Sequence, residues 1–412
     1  MANEVVGIIT GFTTLAVLLA LKRPIWQVLL ASSIIMGIVS MGVEGLVDTL
    51  VDTVSSSIAI DLIVITFLIA TLVNLYSLTG FLKSLSQELI RAIRKPKLIL
   101  MFVPAILGLL PVAGGALMSA PIVDSVGNYL RLERRVKLFI NVWFRHVIFL
   151  VYPLSTVLIT TAALAGVSIW SLITVEFPVL VAMIVSGYIV AFRSVRGKVK
   201  LKLESPNLNL LLRTFSPILI AIIIAVTLRS YIDGILPIPL TRLSMVLGLT
   251  VAIILIMKIS GMGLEGLTKA IASRNTAELT IAAFSAILMR NTFVASGGPD
   301  VLSLVIKPHD VFEAVLLLTL VPALLSLATG SPMTGNVVSL SIFKSVLDVG
   351  LRETMLIYSS AMLGYLASPA HLCYVYSAQY LNTPMSYSYK DMLLATIPTL
   401  AVAVITYLLW PY

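Results

Sequence analysis

The heptapeptide Val103-Pro104-Ala105-Ile106-Leu107-Gly108-Leu109 returns as Val321-Pro322-Ala323-Leu324-Leu325-Ser326-Leu327, and each copy runs directly into a stretch rich in glycine, proline and small hydroxyl residues. An apolar run interrupted in the same manner twice describes two halves of one architecture. In a membrane protein, broken segments at corresponding positions of the two halves point to secondary transport.

Composition decides the solvent. With 59% hydrophobic and 11% charged residues over 412 positions and a mean hydropathy of +1.05, the chain has more apolar surface than a water-soluble core could hide. The expected location is the cell (cytoplasmic) membrane. The first apolar run, 5–21, lacks a basic leader and leads into Lys22-Arg23 and another span, so it reads as a crossing rather than a cleavable signal. The single Cys373 excludes an internal disulfide, and the three histidines are not spaced around it as a zinc site would require. No cofactor and no metal beyond a coupling Na+ is therefore expected. The net charge of +9 lies between apolar spans, where membrane orientation explains it without nucleic acid.

At about 20 residues per crossing, ten runs are long enough to span: 5–21, 24–41, 58–78, 138–163 and 169–192, then 212–228, 236–257, 279–295, 355–376 and 392–410. Two more, 98–126 and 311–347, contain a Pro/Gly-rich middle and read as re-entrant hairpins. The predicted fold class is an all-α polytopic membrane protein of about ten transmembrane helices plus two re-entrant hairpins. Placing both termini outside collects most of the 28 lysines and arginines on the inner side, in clusters at 22–23, 91–97, 131–137 and 193–202. Counting either hairpin as a crossing would scatter that segregation. An odd number of crossings per half means that homologous halves insert in opposite orientation, as inverted-topology repeats. Asn74, Tyr76, Thr79 and Gly80 match Asn291, Phe293, Ser296 and Gly297, Pro153 matches Pro369, and Pro178 matches Pro398. The charged stretch 193–211, with Ser205-Pro206, is the cytoplasmic linker between the halves.

The first hairpin tip reads Pro111-Val112-Ala113-Gly114-Gly115-Ala116, followed by Ser119-Ala120-Pro121; the second reads Thr329-Gly330-Ser331-Pro332-Met333-Thr334-Gly335-Asn336. Proline lacks an amide donor and glycine tolerates open backbone, so a helix break is expected at each. The following spans are interrupted too, at Tyr152-Pro153-Leu154-Ser155 and at Ser368-Pro369-Ala370-His371. Main chain opened at mid-membrane is tolerated only where it lines a cavity or binds something. Half-helix N-termini attract anions, and freed carbonyls with Ser, Thr and Asn oxygens suit sodium. Taken singly, Gly114-Gly115 would be a helix contact, a lone proline a kink, and Ser119 a hydroxyl bonded to its own backbone. Placement in both halves favours a binding site.

Ionisable groups within spans mark pathways. Arg145 and His146 lie roughly 12 Å beyond Lys137 along a helix. Together with Arg290, its neighbour Asn291, Asp124 and Glu176, they are the charge and coupling candidates, and His371 stands inside a helix break. The functional reading gives Arg145 or Arg290 to an anionic substrate and Asp124, Glu176 or His371 to ion coupling. The structural reading pairs Asp124 with Arg145 and lets Arg290 reach the interface. His309 and Asp310 are expected to be solvated loop residues. Residues 81–95 place apolar positions at helical spacing against a basic face, as an interfacial helix does, and 45–54 and 264–271 are shorter versions.

These residues carry a family resemblance. Three crossings, a hairpin, a broken crossing and a further crossing, repeated inverted, resemble the ion transporter superfamily, which includes divalent-anion/sodium symporters, gluconate permeases and citrate carriers. The strings GLLPVAGGALMSAP (108–121) and SPAHLC (368–373) look most like an uncharacterised, domain-of-unknown-function branch of that group. The resemblance implies an elevator mechanism. Parts 98–192 and 311–412 would form a transport domain sliding against a scaffold of 1–97 and 212–310, with the scaffold helices making a homodimer. The sodium-coupled dicarboxylate members carry Ser-Asn-Thr at their tips; here only the second tip has Thr334 and Asn336.

The function read from the sequence is secondary transport of a small anionic, carboxylate-type organic solute, driven by a sodium or proton gradient. The alternative is a cation/proton antiporter using Asp124 and Glu176. No G-x-x-x-x-G-K-[ST] is present, so primary pumping is not expected. An intramembrane enzyme would have only Ser368 with His371, which lack an oxyanion donor and a carboxylate orienter. A channel does not require paired breaks.

Overall fold

The computed structural model describes residues 2–21, 23–109, 115–195, 205–233, 242–303, 308, 310–369 and 371–410, among which there are helices and no strands. Before the charged stretch the chain forms α1 (Ala2–Ala20), α2 (Ile25–Ser55), α3 (Ser57–Leu78), α4 (Phe81–Ile93), α5 (Pro96–Gly108), α6 (Gly115–Tyr129), α7 (Arg134–Val147), α8 (Thr156–Ala165) and α9 (Ile169–Phe192). After it come α10 (Leu208–Thr227), α11 (Arg229–Ile232), α12 (Leu243–Ser260), α13 (Leu264–Ile271), α14 (Arg274–Ala295) and α15 (Gly298–Ser303). The chain ends with α16 (Val311–Thr329), α17 (Pro332–Val346), α18 (Leu351–Ala367), α19 (Leu372–Tyr380) and α20 (Tyr389–Leu409).

Start signals are local and follow from hydrogen-bond need, because the first amides of a helix have no partner within it. Ser56, Ser155, Asn207, Ser273, Asp310 and Ser331 each accept one of those amides at the heads of α3, α8, α10, α14, α16 and α17. Asp310 is thus a helix cap rather than a merely solvated residue, while His309 lies outside the described residues.

Among the described residues, eight helices are long and apolar enough to cross a membrane: α2, α3, α9, α10, α12, α14, α16 and the stretch Met385–Leu409 containing α20. The protein is therefore an all-helical, membrane-embedded chain. The expected ten crossings differ from these eight in a way the chain explains. Two of the ten, 138–163 and 355–376, are each divided into two short helices at their proline break, and α1 falls among the shorter apolar helices. In exchange α16, expected as a hairpin arm, is itself 19 residues long. On α9 the outer face shows the expected solvent: Phe177, Val181, Val185 and Ile189, four residues apart, are 45–59% exposed, while Val175, Glu176, Val179 and Met183 are buried. An apolar stripe left uncovered opposite a buried face is what lipid contact requires.

The arms of each expected hairpin lie side by side. α5 packs along α6 and α16 along α17, so each pair doubles back. Residues 110–114, including Pro111, Ala113 and Gly114, lie outside the described residues. At the second tip only Gly330 and Ser331 separate the helices, and Gly330 adopts φ 64°, which glycine accepts without a steric penalty. Two prolines of the tip regions act differently. Pro332 opens α17 at its first turn, where a missing amide costs nothing, and Pro121 sits inside α6 without ending it. The amphipathic stretch 81–95 folds as α4, and 264–271 as α13; 45–54 is the distal part of α2, beyond a kink at Gly42 with φ 76°.

The hairpins are held by close backbone approach. A Cβ at Gly364 on α18 would stand 2.1 Å from the carbonyl oxygen of Ala323 on α16, and one at Gly108 on α5 would stand 2.2 Å from that of Arg145 on α7. Gly364→Val must push two packed helices apart, at roughly 1–3 kcal/mol for overpacking. Its detergent-solubilised protein should melt measurably lower than wild type. Gly263→Ala, whose Cβ meets nothing within 4 Å, should melt unchanged.

Candidate functional site

α7 brings the candidate residues together. Its last turn carries Arg145 and His146, both at most 2% exposed, and its backbone there touches Gly108 at the end of the first hairpin's leading arm. The break after α18 closes on the same turn. His371, which begins α19, places its ring 4.7 Å from His146, and Tyr365 stacks on His371 at 3.9 Å. Ser368 in that break donates to the carbonyl of Leu327 at 2.5 Å, in the last turns of α16. The Arg145–His146 turn therefore stands between the end of the first hairpin's arm and a break anchored to the second hairpin.

The other break is tied in from the opposite side. Tyr358 on α18 donates to the carbonyl of Phe149 at 2.7 Å, just before the unwound Val151–Leu154 stretch, and Ser155 caps α8. Pro153 lies in this stretch. Asn141, one turn before Arg145, donates to the carbonyl of Ala116 at 3.1 Å and to Ser377 at 2.7 Å, joining α6 and α19. Sequence reasoning passed over Asn141, Tyr358 and Tyr365, because nothing near them in the chain distinguishes them from packing residues.

Polar atoms left without a partner are the informative feature. Arg145 is 2% exposed, its Nη1 has no hydrogen bond, and among the described residues no carboxylate pairs with it. A guanidinium removed from water without an anion is costly, and such charges face a bundle interior or a water-filled path. At the second tip Thr334 Oγ1 and Asn336 Oδ1 are buried and unpartnered, as are Ser326 and Ser339 nearby. The Asn336 amide donates to the carbonyl of Pro332 at 2.8 Å, fixing its oxygen in place. Thr329 bonds within the turn to Ser331, and Gly335 packs so tightly on Ser326 and Pro322 that no Cβ would fit. At the first tip, Ser119 donates to the carbonyl of Ala116 at 3.3 Å, the local bonding usual for a serine on a helix.

The remaining charge candidates go elsewhere. Asp124 pairs with Lys137 at 2.5 Å, not with Arg145, because the two stand at the same height on adjoining arms while Arg145 lies two turns deeper. Arg290 donates to Asn291 at 3.1 Å, and Asn291 donates to Thr53, which places both in the α2–α14 packing. Glu176 is fully buried on α9; Oε2 accepts from Ser359 at 2.7 Å and Oε1 is unpartnered. The Ser368 hydroxyl donates to Leu327 and not to His371, whose ring nitrogens have no partner. A cleft of about 400 Å³ bordered by Arg131, Arg135 and Arg193 lies at the far end of α7, and there Arg135 and Arg193 both bind Asp391. That cleft is an ion-paired helix junction in which Glu133 and Asp391 offset two of the three arginines.

The fold also brings together residues that lie far apart in the chain. His146, His371 and Cys373 put one donor atom each within 4.8 Å of one another, so two of the three histidines do cluster with the cysteine. The chain separation that hid this is bridged when the break after α18 closes on α7.

Residues 6–410 match a family described as Protein of unknown function (DUF401). No curated protein matches the sequence.

Proposed function

We propose that this chain, which belongs to the DUF401 family, is a secondary carrier of a small anionic organic solute, with Arg145 as the counter-charge of the solute. The observation that carries the reading is the buried guanidinium whose Nη1 has neither a hydrogen-bond acceptor nor a carboxylate among the described residues. A carboxylate presented there would gain charge-assisted hydrogen bonds in surroundings that exclude water. The unpartnered oxygens of Thr334 and Asn336 supply acceptors for solute hydroxyls or for a sodium ion.

Helix packing supports two inverted repeats, since the same partnerships recur. α1 packs on α2 as α10 does on α12, α5 on α7 as α16 on α18, and α6 on α19 as α17 on α8. In this reading α5–α9 and α16–α20 are the moving part and α1–α4 with α10–α15 the scaffold. The two parts meet through α3 and α14 against α8, α14 and α15 against α17, α1 against α16, and the α4–α5 joint. The ion transporter resemblance, an elevator movement, a scaffold homodimer and termini on the outer side of the cytoplasmic membrane belong to the same proposal. The antiporter alternative is weakened because Asp124, one of its two carboxylates, is held by Lys137.

A thermal-shift screen of purified protein against mono-, di- and hydroxycarboxylic acids, with sodium, potassium or at low pH, tests the binding step. A ligand of the folded state raises Tm by mass action, about 2.7 kcal/mol at a hundred times Kd. Thr334→Ala and Asn336→Ala are expected to melt like wild type without ligand and to lose most of the shift. An undiminished shift in both variants removes the second tip from the site.

A further inference from the structure

The cluster at the α18–α19 break has the makings of a metal centre. His146 and His371 are at most 1% exposed, and Cys373, the half-buried member, offers a way in. Three features besides proximity point to a ligand. Neither ring nitrogen of His371 has a hydrogen-bond partner, although the residue is fully buried. His146 Nδ1 lies 2.7 Å from the carbonyl of Val142, the backbone contact that fixes a ligating imidazole as the tautomer whose Nε2 carries the lone pair. Tyr365 and His146 hold the His371 ring on two sides, at 3.9 Å with 35° between planes and at 4.7 Å with 76°. The imidazole therefore has a defined orientation while neither of its nitrogens makes a hydrogen bond of normal geometry.

From this geometry we infer that His146, His371 and Cys373 form a three-coordinate site for a soft monovalent metal ion, copper(I). Metal–nitrogen and metal–sulfur bonds of about 2.0–2.3 Å set trigonal donors roughly 3.5–4 Å apart. The three donor atoms lie within 4.8 Å of one another, so modest side-chain rotations close the set. Thiolate with imidazole selects copper(I) among the biological soft ions. Charge favours it as well. Copper(I), two neutral imidazoles and one thiolate sum to zero, whereas zinc(II) on the same ligands leaves a positive charge beside the uncompensated Arg145 and lacks its customary fourth ligand. On binding, the Cys373 S–H bond breaks, its proton leaves to solvent and a Cu–S bond forms. Copper stays in the +1 state, so no oxidant or reductant is involved. The bound ion would pin the start of α19 to the end of α7. The inference stands apart from the anion-carrier proposal, since neither Arg145 nor the hairpin tips contribute a ligand.

Full-length protein in detergent, kept anaerobic, is titrated into the coloured copper(I) complex of bathocuproine disulfonate. The expected result is bleaching by one equivalent per chain, abolished in both Cys373→Ser and His371→Asn. The chain has 15 methionines, which can also take copper(I). Bleaching that persists in both variants assigns the ion to them and overturns the site, as does no bleaching or a preference for zinc(II). A second measurement avoids variants altogether. Cys373 is the only cysteine, so its alkylation by a small maleimide in wild-type protein should slow several-fold with one equivalent of silver(I), the redox-inert stand-in. An unchanged rate contradicts the inference.

Discussion

Arg145→Gln is expected to abolish binding of the transported anion while leaving the protein folded. Glutamine keeps a polar head of similar reach but loses the charge and the paired N–H geometry that grips a carboxylate. Truncating one partner of a buried, hydrogen-bonded charge pair costs about 2–5 kcal/mol, so affinity should fall on the order of 30-fold or more. Stability should move the other way. The guanidinium is 2% exposed with an unpartnered nitrogen and no carboxylate, so removing it relieves an uncompensated buried charge. The ligand-free variant should therefore melt no lower than wild type. A structural arginine would give the opposite pair of results: lower Tm in the variant and an unaltered ligand shift. Arg290→Gln serves as the comparison, because one nitrogen of Arg290 already donates to Asn291 within the α2–α14 packing and its loss should leave anion affinity close to wild type.

Glu176→Gln is expected to separate movement of the solute from its driving force. Glu176 is a fully buried carboxyl with one oxygen on Ser359 and the other free, and among the described residues no lysine or arginine pairs with it. Such a group can take up and release a proton as its surroundings change. The amide preserves the Ser359 contact and cannot exchange a proton. In proteoliposomes the variant should still exchange labelled for unlabelled solute at equal concentrations. It should no longer accumulate solute under an imposed proton gradient. Accumulation at the wild-type level under that gradient excludes Glu176 as the coupling group, and accumulation that follows sodium alone moves the coupling to the oxygens of Thr334 and Asn336.

What the chain reveals before folding is what is decided locally. The helix breaks at 152–155 and 368–371 and the turn at Gly330-Ser331 follow from proline, glycine and hydroxyl caps acting on their nearest neighbours, and they appear where the sequence puts them. Pro121 shows the limit of the rule, since it is the seventh residue of α6, past the amides left unpaired at a helix start, and the helix still runs through it. Side-chain partnerships are another matter. Asp124 takes Lys137 because height along two adjoining helices, not charge alone, chooses the partner. His146, His371 and Cys373 meet only because α7 and the α18–α19 break close on one another, and no spacing within either segment announces it. Asn141, which ties α7 to the first hairpin, and Tyr358, which ties the first break to α18, resemble ordinary helix residues until their acceptors are seen.

The most direct test is uptake of a radiolabelled organic acid, chosen from the thermal-shift screen, into proteoliposomes holding wild-type protein or Arg145→Gln. The account predicts concentrative uptake by wild type that collapses when an ionophore dissipates the gradient, and none by the variant. Wild-type vesicles that take up no acid under any imposed gradient, or a variant that transports as well as wild type, would contradict it.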